Sequence, residues 1–322
     1  IMAATSVTET WDAAWTLTMR SKRKRLTDNI FDEYPLLKML SGNAEVEGGG
    51  KEIQEDLMYG KNSATWFDGY DTVNTDAVDG ITMGYAPWRY TATPITISMT
   101  ERDEGRLSDA AKKILEAKTQ QSMLTARDSV NAAFFSAQTG KSTLGLQDLI
   151  ADAPTTGTVM GINRATESWW RNQADTTSSD VDSISSNINV GTQRLGAVWN
   201  SCSEGNDTPS HIFTTLTVFG DMQNLFEGTG YARLAAGETG KADAGSPIFR
   251  GATIQYDRDC PSQHAYLINS KYLKLKIQQG KNFAKTAFKE PVNQFAMVAY
   301  IVFGCQLVIN NARRHGVATA LT

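Results

Sequence analysis

The chain has 322 residues, with 31 Lys and Arg against 35 Asp and Glu, a net charge of −4 and a pI near 5.5. Its length allows two compact domains or one large domain with extensions. The acidic balance argues against a dedicated nucleic-acid binder, which usually carries a basic face, and no run of 18 apolar residues is present to span a membrane.

Residues 1–47 read as an N-terminal arm. Trp11, Trp15 and Met19 share helical spacing, and Arg20, Lys22, Arg23, Lys24 and Arg25 follow. Pro35 to Leu40 adds further apolar teeth. These are too few for a separate core, so the arm is expected to dock on its own body or on a neighbouring copy. The basic cluster suits either nucleic acid or a scaffold, or else a solvated helix face paired with acidic neighbours.

Residues 48–100 predict a long extended hairpin. Gly48-Gly49-Gly50 marks a bend, Lys51 to Tyr59 runs out, and Trp88 to Thr100 is expected to return, with Ile95, Ile97 and Met99 on one face. Pro87 and Pro94 place this ribbon at an edge. Its tip is rich in Gly, Asp, Asn and Thr, and carries Lys61, Trp66, Phe67 and Tyr70. An isolated two-stranded ribbon is marginal in water, so this one needs a surface to lie on.

Residues 101–140 predict one long helix. Thr100 and Asp103 form a capping-box pattern. Leu107, Ala111, Ile114, Met123, Val130 and Phe134 mark an apolar stripe, and Thr139-Gly140 ends it. Roughly 50–60 Å of helix follows from 1.5 Å per residue, longer than a single core requires.

The segment Gly157-Thr158-Val159-Met160-Gly161-Ile162-Asn163-Arg164-Ala165-Thr166-Glu167-Ser168-Trp169-Trp170-Arg171-Asn172-Gln173 is the most specific stretch. Two adjacent tryptophans fall on opposite faces of a strand, or about 100° apart on a helix. Trp169 and Trp170 are thus expected to pin two surfaces together, either in a core corner of one domain or between subunits. A Gly-rich turn, an Arg-Ala-Thr run and a paired Trp-Trp-Arg-Asn resemble a segment of the major capsid proteins of tailed bacteriophages, which have the Hong-Kong-97-type fold. Met160 stands where that pattern has a second Gly.

The second half reads as α/β. Ser179-Asp180-Val181-Asp182 is a second capping box, opening a helix that Gly205 stops. A strand at 211–217, a helix ending at Gly228, a weakly patterned loop at 228–245, strands at 248–256, 265–268 and 272–278, and an apolar run from Phe295 to Ile309 follow.

Little chemistry is encoded. Gly140-Lys141-Ser142 imitates the end of a phosphate-binding loop, but Phe135 stands where the leading Gly belongs and a helix precedes it. His211, His264 and His315 lack metal spacing and read as polar residues at strand edges, without a carboxylate cluster nearby. Asp257-Arg258-Asp259 reads as a turn or salt bridge. Cys202, Cys260 and Cys305 are odd in number and far apart, which fits neither a metal site nor a disulfide framework, and Cys305 reads as a small buried hydrophobe. No catalytic, cofactor or metal site is expected.

The resemblance implies an α+β capsid fold. It has the arm, the extended loop lying over the adjacent subunit, a spine helix of the peripheral domain (101–140), a peripheral/axial junction (141–205), an axial domain (206–290) and return strands (291–322). It implies a structural protein, not an enzyme, that self-assembles as hexamers and pentamers into an icosahedral shell around packaged double-stranded DNA. Scaffolding, portal and decoration proteins are the implied further partners, without a membrane. Such a virion capsid is assembled in the host bacterial cytoplasm. Some relatives crosslink through a lysine of the extended loop and an Asn of a neighbour, for which Lys61 in the loop tip is the candidate donor, and many others rely on non-covalent contacts or decoration proteins. Contacts between subunits are expected at Trp11, Trp15, Arg23, Arg25, Lys61, Trp66, Phe67, Tyr70, Trp169, Trp170 and Arg171. Two rival readings are an enzyme with a concave site in the α/β half and a nucleic-acid binder using the basic arm.

Overall fold

Pro35 opens helix α1 (Pro35–Gly42) at a position where its missing N–H costs nothing. Leu36, Leu37 and Leu40 are fully buried beneath it. The computed structural model describes residues 34–73, 75–100, 109–177, 189–228, 248–292 and 294–321. Trp11, Trp15, Arg23, Arg25, Asp103 of the first capping-box pattern, the whole of the second and the 229–247 stretch lie outside these residues. Residues 34–47, expected to belong to an arm, are built into the body: β1 (Ala44–Glu47) pairs in parallel with β12 (Leu273–Gln278).

The first sheet is assembled around the apolar run near the C-terminus. That run forms one 14-residue strand, β14 (Ala296–Ile309). Its second half pairs with β12 and its first part with β4 (Arg89–Ser98), while the short β13 (Ala284–Lys285) joins it at Ile301 and Val302. Strand β4 is an edge, as its proline requires. Its outward carbonyls are not wasted: Pro94 O accepts from Ser122 Oγ (3.1 Å) and Thr96 O from Lys118 Nζ (3.3 Å).

Those donors belong to helix α2 (Asp109–Phe135). At 27 residues it is about 40 Å long. Leu115, Thr119, Met123, Ala126, Val130 and Phe134 are buried at three- and four-residue intervals against the sheet. The helix stops at Phe135, short of Gly140. Gly145 approaches so closely that a Cβ there would lie 1.8 Å from Ser136 O. Side chains of the next turn take over the open backbone donors, as Gln147 Oε1 accepts from Ala137 N and Asp148 Oδ2 from Gln138 N.

The hairpin differs from expectation. Strand β2 (Glu52–Met58) pairs with β3 (Ile81–Pro87), not with the 88–100 segment. The chain bends at the buried Trp88, and β4 leaves the ribbon to join the body sheet.

The second half builds a six-stranded sheet. Strands β7 (Gln173–Asp175), β15 (Gly316–Ala318), β11 (Ala265–Ile268), β8 (His211–Thr214), β10 (Ala252–Tyr256) and β9 (Ile248–Phe249) lie in that order. Helices α4 (Asn189–Cys202) and α5 (Leu216–Gly228) pack on it. Between α2 and α4 come the single-turn α3 (Leu146–Leu149) and the two-residue strands β5 (Thr158–Val159) and β6 (Ile162–Asn163). Apolar residues form two clusters, a large one spanning the first sheet, α1, α2 and α3, and a smaller one under α4 and α5.

Candidate assembly surfaces

Period-two alternation gives the hairpin two faces. Ile53, Leu57 and Ala86 are buried against the body, while Met58, Ile81, Met83 and Tyr85 are exposed on the other side. Its attachment is built from the 157–173 segment. The β5–β6 turn consists of Met160 and Gly161, both with positive φ (50° and 80°), as the tightest hairpin turns require. Met160 therefore holds the left-handed conformation that a glycine would adopt without strain. Its carbonyl accepts from Tyr85 N (2.9 Å), and its side chain lies over Gly84, where an added Cβ would meet Met160 Cε and Leu57 Cδ1 at 3.1 Å.

The two tryptophans do pin two surfaces, both within this chain. Trp170 is fully buried and donates from Nε1 to Val159 O (3.2 Å). Trp169 is half-buried, donates to Glu167 (2.7 Å) and stacks on Tyr59 at the end of β2, with centroids 5.2 Å apart. This burial places Trp170 in a core corner, one of the two alternatives that the sequence left open. Arg171 is likewise spent internally, donating to Arg164 O and Ala165 O at 2.7 Å each. Arg164 is buried and makes no ion pair among the described residues, though the Asp148 charge lies near enough to favour its cation. It donates to the Asp148 and Leu149 carbonyls at the end of α3, and burial lowers its pKa to about 10.

A charged cluster missed in the sequence ties the hairpin base to the first sheet. Lys276 on β12 is nearly buried. Its Nζ lies 2.6 Å from Glu45 and from Glu47 on β1, and 2.5 Å from Glu55 on β2. Burial works against its charge, but the three carboxylates outweigh it and hold the ammonium above its ordinary pKa. The carboxylates converge at metal-ligand spacing, yet the ammonium occupies the point they share. The signal was present as Glu45-x-Glu47 and Lys274-x-Lys276, same-face charges on two strands. Pairing across more than 200 residues was not legible.

Beyond this base, the backbones cross where Gly60 N donates to Gly80 O (3.2 Å). The tip then projects. Trp66 is 99% exposed, Tyr70 105% and Phe67 66%. Lys61 is exposed, and its charge reaches Glu204, whose carboxyl is held low mainly by Arg314. A turn at Asp68–Asp71 shapes the outer corner, with Asp71 N donating to Asp68 O and Gly69 at φ +49°.

The remaining motifs fall outside any catalytic arrangement. Gly140-Lys141-Ser142 forms a turn after α2, with Thr139 N donating to Ser142 Oγ (2.8 Å). Asp257-Arg258-Asp259 is a turn as expected, and Asn131 donates to both carboxylates (2.9 and 2.8 Å). His315 is fully buried, not at a strand edge, and burial lowers its pKa to about 3. His264 does have a carboxylate beside it, since Asp152, 112 residues away in sequence, lies 3.1 Å from its Nε2. All three cysteines are buried and free, and burial raises the Cys202 thiol to about 12. Among the described residues, no helix is long and apolar enough to cross a membrane.

No protein-family model matches the chain, and no curated protein matches it in sequence. Solved structures do match, along most of its length. The cyanophage A-1(L) capsid asymmetric unit aligns with a TM-score of 0.68 at 14% identity, covering 89% of this chain and 92% of that one. The capsid of an empty GTA particle aligns at 0.58 and 10% identity, covering 88% and 90%. The procapsid of satellite phage P4, which includes a size determination protein, aligns at 0.51 and 11% identity, covering 93% and 99%. At such identities the likeness is one of fold. The chain has the mixed helix-and-sheet fold of phage capsid proteins.

Proposed function

We propose that this chain is the major capsid protein of a tailed bacteriophage, a structural subunit whose copies close into an icosahedral shell around double-stranded DNA. The observation that carries this reading is the fold match across 89% of the chain to a cyanophage capsid. The hairpin supports it: one face and the tip carry large apolar side chains that are exposed among the described residues. A second copy is the natural cover, since a shell subunit touches several neighbours and each standard interface removes about 1,600 Å² from water. Hexamers and pentamers are the closed rings that such a shell requires. Assembly takes place in the host cytoplasm, with scaffolding, portal and decoration proteins as accessory partners. The solved capsids of this fold favour this reading over an enzyme or a DNA-binding module.

Electron microscopy of the purified full chain, expressed alone and with a scaffold, tests it. Closed particles are expected. A chain that remains a monomer or small oligomer under both conditions contradicts the proposal. Removal of residues 61–79 sharpens the test, because Gly60 and Gly80 already touch. The shortened chain should fold and fail to assemble.

A further inference from the structure

A cleft of about 280 Å³ lies where the start of β4, the last turns of α2 and the Gly140–Ser142 turn meet. Arg89, Lys141, Ser129 and Ser142 are among its polar lining residues, Phe134 and Val130 among its apolar ones, and no acidic residue among the described ones lines it. Arg89 is half-buried; its Nε is closed off from solvent and has no acceptor. Neither Arg89 nor Lys141 makes an ion pair among the described residues. Two cations without a counter-charge among the described residues leave the cleft electropositive, and a carboxylate from outside supplies the missing charge.

The chain carries a matching group. Residues 61–79 include Asp68, Asp71, Asp76 and Asp79 against the single cation Lys61. The outer corner places Asp68 beside Trp66, Phe67 and Tyr70, held in shape by Asp68 N donating to Asp71 Oδ2 (3.1 Å). Trp66 and Tyr70 are wholly exposed and Phe67 is 66% exposed, so the corner is not seated in its own cleft. Carboxylate on guanidinium and aromatic face on cation are the two contacts that such a corner and such a cleft can make together.

We propose that the Arg89–Lys141 cleft of one copy receives the acidic aromatic corner Trp66–Asp71 of a second copy. This rests on the reading of the chain as a shell subunit. It names where on the neighbour the loop lands.

Charge exchange tests it, with particle yield read by sedimentation and electron microscopy of the full chain. Arg89→Glu with Lys141→Glu should lower particle yield about tenfold or more, as like charges meet across the contact. Asp68→Lys with Asp71→Lys should do the same, and all four substitutions together should restore particles. Lys141 is exposed, so Lys141→Glu alone leaves folding intact; its partial loss of particles should be reversed by Asp68→Lys. Parental yield from both cleft variants, while the 61–79 deletion makes no particles, would overturn this placement and leave the shell reading standing. Failure of the fourfold exchange to restore particles also overturns it. Particles from the deleted chain would instead remove the loop's role in the shell reading itself.

Discussion

Lys276 illustrates how one side chain fixes an element. Its ammonium compensates Glu55, which is buried on the hairpin strand. Lys276→Met leaves that carboxylate without a partner, and breaking a buried pair in this way costs about 3–5 kcal/mol. Glu45 is 43% exposed at its side chain, so Glu45→Gln should cost no more than about 1 kcal/mol. Urea denaturation of both variants checks the ranking. The same cluster sets a pH dependence. Hydrogen bonds from Lys274 and Lys276 hold the Glu45 carboxyl below its ordinary 4.5, so that contribution is complete above this value and is lost as pH falls through the lowered one. The raised Lys276 contributes fully below its ordinary 10.5 and loses this only as pH climbs past the raised value. The hairpin base should therefore hold through neutrality and loosen on the acid side. Proteolytic cleavage within 50–90, followed from pH 7 to pH 3, should accelerate below about pH 4.5. Met160 weighs two opposing effects. Glycine would relieve about 1–2 kcal/mol of left-handed strain, but the buried methionine contributes about 2–3 kcal/mol. Met160→Gly should be destabilising by roughly 1 kcal/mol, measured by the same denaturation.

Among elements, the hairpin depends on close approach. Gly84→Val would push into Leu57 and Met160, which already sit 3.1 Å from the position of a Cβ. Overpacking of this kind costs about 1–3 kcal/mol. The variant should expose Tyr59 and Trp169 to quenchers, as their stack opens. How far each element was legible follows from the same physics. Helix α2 announces itself through a long apolar periodicity and strand β14 through a nearly continuous apolar run. The hairpin was only half legible. Ile95, Ile97 and Met99 give the clearest alternation after the tip, so sequence order assigns them as the returning strand. The true partner, Ile81 to Pro87, turns its apolar residues outward and hides its inner face behind Gly84 and Ala86. Trp170 and Arg171 read as contact residues because the sequence cannot say whether the second surface belongs to the same copy. The aromatic tip was legible because no local periodicity offers Trp66, Phe67 or Tyr70 a core. The cleft at Arg89 and Lys141 was not, since it joins residues 52 apart through packing alone.

At the scale of the whole molecule, the densest group of exposed aromatic side chains among the described residues lies on the ribbon tip. The two apolar clusters lie mostly in the body, and Met58, Ile81, Trp66, Phe67 and Tyr70 on the ribbon are exposed, as Leu216, Val292 and Phe295 are elsewhere. Exposed contiguous apolar surface of this kind marks an interaction site. The proposed shell suits it, because each copy would both offer a ribbon and present a surface for another. Many modest contacts then hold a closed shell more firmly than any pair is held. Hydroxyl-radical footprinting of Trp66 and Tyr70, comparing dissociated subunits with purified particles, tests this most directly. Both residues should be readily oxidised in the free chain and protected about tenfold or more in particles. Equal oxidation in the two states would mean that the ribbon stays bare in the shell, contrary to the idea that neighbouring copies complete its burial.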